Sequence, residues 1–68
     1  MSENLGYRIK IIRESRGMSL KQAASAIGVS RRHLWDMEEG FRVNPTLKTL
    51  RRIAAGFGVS VGELLDDD

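Results

Sequence analysis

The sequence contains no cysteine, so neither a disulfide nor a thiolate metal site can hold it together. Its single histidine and the lack of any CxxC or HExxH spacing leave nothing from which to build a metal centre. No uninterrupted apolar run exceeds three residues, which excludes a membrane-spanning helix and the apolar core of a signal peptide. No Ser/His/Asp arrangement or catalytic carboxylate pair stands in a recognisable frame. A chain of 68 residues is also too small to enclose a substrate pocket, so the expectation is a protein that is not an enzyme and uses no cofactor. Thiol-free composition fits a reducing compartment, and a cytoplasmic location is the default expectation.

What is present is enough for one thin core. Hydrophobic residues make up 41% of the chain, too many for disorder. A chain this short hides only about 60% of its unfolded surface, so stability must come from helix packing, capping and association. The net charge of +2 conceals an uneven distribution. Four of the nine acids (Glu63, Asp66, Asp67 and Asp68) lie in the last six residues. Residues 1–62 carry eleven basic against five acidic side chains, a surplus of six that suits a polyanionic partner.

Five helices are expected along the chain, forming an all-α, compact five-helix bundle in a single domain with an acidic tail at 66–68. The first runs from about Asn4 to Ser15, with Leu5, Ile9 and Ile12 on one stripe and Gly17 ending it. Ser19 and Gln22 form a capping box for the second, whose small inner face is Ala23, Ala24 and Ile27 and whose stop is Gly28. Ser30 caps a third helix reaching about Glu38, with Leu34 and Met37 inward and Gly40 beyond. Asn44-Pro45-Thr46 opens a fourth, with Leu47, Leu50, Ile53, Ala54 and Phe57 on one face and Gly58 at its end. Ser60 and Glu63 form another capping box for a short last helix carrying Leu64 and Leu65.

The segment from about 19 to 39 carries the function. Ala24 allows two helices to approach closely, and Gly28 supplies the positive φ of a sharp turn between them, as a helix-turn-helix requires. With Leu34 and Met37 inward, Arg31, Arg32, Trp35, Asp36 and Glu39 fall on the opposite face of the third helix. Arginine reads guanine through O6 and N7, and Asp36 is placed either to accept from cytosine N4 or to pair with Arg32 four residues earlier. Trp35 is expected either against thymine methyl groups, beneath a guanidinium, or covering a neighbouring helix. Phosphate contacts are expected from the helix starts, where backbone N–H groups and the dipole favour an anion. Ser19, Lys21, Gln22, Ser30, Arg42 and Thr46 are placed to add to them. His33, at the edge of the face, is placed for a phosphate or for packing against the second helix. Tyr7 and Ile11, four apart and roughly 200° from the Leu5 stripe, offer a surface to a protein partner.

Several stretches together resemble the Cro/C1-type repressor domain of the xenobiotic-response-element family. They are Leu5-Gly6, Ile9, Arg13, Gly17, MSLKQAASAIGVS (18–30), Leu34, Glu38, Gly40, NPTLKTL (44–50), Ile53-Ala54 and GVSVGELL (58–65). The resemblance implies a five-helix fold whose second and third helices bind double-stranded DNA, and a homodimer that reads two half-sites of a palindromic operator. It also implies contact between Arg13 and Glu38, and self-association through Val61 and Leu64 with help from Phe41 and Val43. Two positions depart from the pattern. Leu20 stands where many phage repressors carry a phosphate-touching Gln, and Glu39 where a neutral or basic residue often meets the DNA backbone. The expected function is a transcriptional regulator, most simply a repressor. The alternatives are a protein-interaction module, such as an antitoxin or co-regulator, and the DNA-binding domain of a longer sensor-regulator.

Overall fold

The second to fifth helices each begin where a short polar side chain satisfies a free backbone N–H group. The computed structural model describes residues 5–40 and 45–65, and orders them as α1 (Leu5–Ser15), α2 (Leu20–Ile27), α3 (Arg31–Glu39), α4 (Leu47–Phe57) and α5 (Val61–Leu65). Among the described residues there is no strand, and the fold is all-α. Ser19 Oγ accepts from Gln22 N at 3.0 Å, while Gln22 Oε1 accepts from Ser19 N at 2.8 Å. Ser30 caps α3 through His33 N, and Thr46 caps α4 through Thr49 N. Asn4 and Asn44, expected in helix starts, lie outside the described residues. Pro45 precedes α4 rather than forming part of it.

The ends are equally local. Gly28, at φ 91°, turns the chain between α2 and α3, and the N–H groups of Gly28 and Val29 both return to the Ala24 carbonyl. An L-side chain at this φ is strained, so glycine is the residue that makes the corner sharp.

The core is Ile9, Ala23, Ala24, Ile27, Leu34, Met37, Ile53, Ala54, Phe57 and Leu64. Through it α1 packs on α3, α2 on both α3 and α4, and α5 on α1 and α4. Of the positions that periodicity places on apolar faces, Leu5, Ile12 and Leu50 are half-buried against this core and Leu47 lies outside it. Leu47 has the right phase but lies at the open end of α4 and is 55% exposed. Leu65 is 45% exposed because neighbours on a helix diverge by about 100°, and Leu64 takes the inward direction.

Three arginines of the first helix and its exit are used inside the fold. Arg8 donates to the carbonyls of Leu64 and Glu63 at 3.2 and 2.6 Å, and Arg16 to the carbonyl of Phe57 at 2.7 Å. These carbonyls close α5 and α4, where the helix dipole is negative. Arg13 donates from Nε and Nη2 to both oxygens of Glu38, at 2.6 and 3.0 Å, and from Nη1 to the Met18 carbonyl at 2.8 Å. Much of the basic surplus read from composition is therefore structural. The hydrogen bond to Glu38 raises the Arg13 pKa, so the guanidinium stays charged.

The α5 cap makes stability depend on pH. Glu63 Oε1 accepts from Ser60 N at 2.8 Å, and Ser60 Oγ accepts from Glu63 N. The hydrogen bonds from the Ser60 backbone and side chain lower the Glu63 pKa. A lowered folded-state pKa contributes stability above the ordinary glutamate range, and that contribution is lost as pH falls through the folded value. Glu63→Gln keeps a capping acceptor without the charge. Melts across a pH series should show the parent more stable near neutrality, with the gap closing in acid. A gap that stays constant with pH would contradict this assignment.

Candidate nucleic-acid interface

The outward face of α3 is aimed by its inward one. Leu34 is fully buried and Met37 nearly so, which leaves Arg31, Arg32, Trp35, Asp36 and Glu39 turned away from the core. Arg31 and Arg32 are exposed in the first turn, whereas Trp35 and Asp36 are half-buried one turn later. Arg32 Nε lies 3.2 Å from Asp36 Oδ1, and its guanidinium carbon is 5.4 Å from the centre of the Trp35 ring. That separation is within cation–π range. Arg32 thus has neighbours on two sides, while Arg31 has no hydrogen bond or ion pair to any described residue.

The start of α2 borders this face. Leu20 is its first residue, half-buried, and together with Arg31, Arg32 and Trp35 it lines an open recess of about 540 Å³. In the sequence Leu20 stands out as a departure from the family pattern, a residue that cannot touch a phosphate. The signal for the recess was an apolar side chain standing alone between the cap Ser19 and the polar pair Lys21-Gln22. Of the alternatives expected for Trp35, the structure shows the ring beneath the Arg32 guanidinium, where it also lines this recess.

The remaining expected contacts divide by what the fold already asks of them. Lys21 and Gln22 are exposed at the start of α2. The Gln22 carbonyl oxygen is engaged by the cap, so its amide N–H groups are the part that can face an anion. The hydroxyls of Ser19 and Ser30 likewise accept from backbone N–H groups, and the Thr46 hydroxyl donates to Thr49 Oγ1 at 3.2 Å. His33 is exposed, so the expected packing on α2 is not seen; one step of about 100° from Leu34 carries it out of the α2–α3 seam. Lys48, Arg51 and Arg52 are exposed on α4. Arg42, Phe41 and Val43 lie outside the described residues.

One expected interface residue must be reassigned. Leu64 is fully buried in the core against α1 and α4 neighbours, so it has no side-chain surface to offer a second copy. The exposed apolar side chain at that end is Leu65, beside the half-buried Val61. Tyr7 and Ile11 are 65% and 45% exposed on the outer side of α1. The described residues hold no group of three or more histidine and carboxylate side chains able to bind a metal, and no helix among them is long and apolar enough to cross a membrane.

Comparison with known proteins agrees with this geometry. The helix-turn-helix family model HTH_3 matches residues 9–64. The regulator DdrOP3 of Deinococcus deserti, an HTH-type transcriptional regulator, is 41% identical over 59 residues, covering 87% of this chain and 45% of its own length. The immunity repressor protein of Bacillus phage phi105 is 36% identical over 64 residues, covering 94% of this chain and 44% of its own length. The chain thus spans about half the length of the curated relatives it matches. Among solved structures, the N-terminal DNA binding domain of SinR from Bacillus subtilis superposes with a TM-score of 0.87 at 35% identity, covering 97% of this chain and 96% of that domain.

Proposed function

The chain belongs to the helix-turn-helix family HTH_3, and from that membership we propose that it is a sequence-specific DNA-binding transcriptional regulator, acting as a repressor by occupying an operator. The observation that carries the reading is the solvent-facing pair Arg31 and Arg32 in the first turn of α3, opposite the buried Leu34 and Met37. First-turn side chains of a recognition helix meet base edges in the major groove, and arginine is the best single reader of guanine. Arg31, with no described partner, is the base reader. Arg32 has Asp36 and Trp35 as neighbours, contacts that bias its guanidinium while leaving the side chain 79% exposed. Lys21 and Gln22 reach phosphates from the start of α2, with Thr46 and the α4 cations adding attraction.

The two roles separate experimentally. Arg31→Ala should weaken binding by about 1–3 kcal/mol on the preferred duplex and relax preference at one position. Lys21→Ala should weaken binding to all duplexes alike and reduce the salt-dependence slope by about one unit. Titrations on preferred and scrambled duplexes across a salt series read both effects. Equal loss on both duplexes for Arg31→Ala would make that side chain a backbone clamp and remove the recognition-helix assignment.

Operator occupancy follows two-fold symmetry, so we place two copies on half-sites about 34 Å apart along one face of the duplex. The apolar surface that the described residues leave for this, Val61 and Leu65, is a few side chains and far short of a standard-size interface. Sedimentation should accordingly find monomers at nanomolar concentration without DNA and dimers on a palindromic site. A tight dimer in the absence of DNA would shift attention to Tyr7 and Ile11.

A further inference from the structure

The recess between α2 and α3 differs in chemistry from the arginine face around it. Its two apolar walls come from different helices, Leu20 from the first position of α2 and Trp35 from the middle of α3. Its rim carries Arg31 and Arg32, both exposed. Leu20 is held in place by packing against the core, and the Trp35 ring lies under the Arg32 guanidinium. The two arginines favour an anionic neighbour. A base edge in the major groove offers one methyl group, the C5-methyl of thymine, and the side chains that read it are apolar.

We infer that the Leu20–Trp35 recess is a thymine reader, taking the C5-methyl of one thymine in each half-site while Arg31 reads an adjacent base. The inference rests on the DNA-binding function proposed above and adds a second specificity determinant to it, contributed by α2 as well as α3. Leu20 matters to this because it adds an apolar contact from α2 to the one that Trp35 offers from α3.

The test begins with the unaltered protein. A preferred duplex is selected from a random pool, and each thymine in it is replaced singly by deoxyuridine, which lacks only the methyl group. One thymine per half-site should lose affinity by about fourfold, the worth of one buried methyl. In Leu20→Ser and in Trp35→Ala, thymine and uracil at that position should bind equally. 5-Bromodeoxyuridine at the same position, close to thymine in shape, should cross-link to Trp35 or Leu20 on irradiation of the unaltered protein, a readout that needs no variant to fold. Enrichment of a sequence with no uracil-sensitive thymine overturns this inference alone, as does sensitivity that survives both substitutions or a cross-link elsewhere. Failure to enrich any sequence overturns the DNA-binding reading and the inference together.

Discussion

Glu38→Ala should lower the unfolding midpoint by on the order of 12–40 °C. The Glu38 side chain is 2% exposed and that of Arg13 11%, with two hydrogen bonds between them. Truncating Glu38 leaves the Arg13 charge largely buried, with only the Met18 carbonyl and the exposed Glu14 carboxylate 3.9 Å away as partners, and stranding a buried charge in this way costs roughly 3–5 kcal/mol. A domain of this size has a total stability of only about 3–10 kcal/mol, and each kcal/mol moves its midpoint by about 4–8 °C. The loss is one of stranded charge rather than of favourable pairing, so the double variant Arg13→Met/Glu38→Leu should recover most of it. Thermal melts of the three variants distinguish the two accounts. A shift of a degree or two in Glu38→Ala would mean that water reaches the pair.

The second large effect is expected at Gly6, on the same helix pair. A methyl group on its α-carbon would collide with the Met37 carbonyl oxygen and press on that of Glu38 at 3.0 Å. Both are backbone atoms within α3, so no side chain can swing aside. Alanine favours a helix interior over glycine by about 1 kcal/mol, yet overpacking of this severity exceeds that gain. Gly6→Ala should therefore destabilise by about 3 kcal/mol, read from denaturant midpoints at constant m-value. The strain also moves α3 outward and disturbs the Arg13–Glu38 contact. Combining Gly6→Ala with Glu38→Ala should thus cost less than the sum of the two. An unchanged or higher stability would show that α1 and α3 are not held this closely.

Much of the architecture could be read from the chain because its determinants are local. Ser19 with Gln22, Ser30, and Ser60 with Glu63 each find their capping partner within three residues, and the structure shows those same hydrogen bonds. The outward direction of Arg31 and Arg32 was likewise legible, since Leu34 and Met37 on the same helix set its phase. The exposed leucines Leu47 and Leu65 fall at helix ends, whereas His33 and Leu64, whose surroundings also differ from expectation, lie within helices. Leu47 and Leu65 carry the right hydrophobicity, but nothing in periodicity says where a neighbouring helix stops.

Helix positions, caps, the Gly28 corner and the basic face of α3 were thus determined by the sequence alone, because each depends on residues a turn or less apart. Tertiary structure decided whatever depends on two distant segments meeting. It assigned Leu64 to the core, because α1 and α4 converge on it. It engaged Arg8 and Arg16 with the ends of α5 and α4, so part of the chain's positive charge neutralises its own helix dipoles rather than facing a partner. It also brought Leu20 beside Trp35, fifteen positions later, to form a recess that neither helix possesses by itself. Composition counts charges and periodicity orients single helices, but which side chains share a surface is settled only when the helices pack.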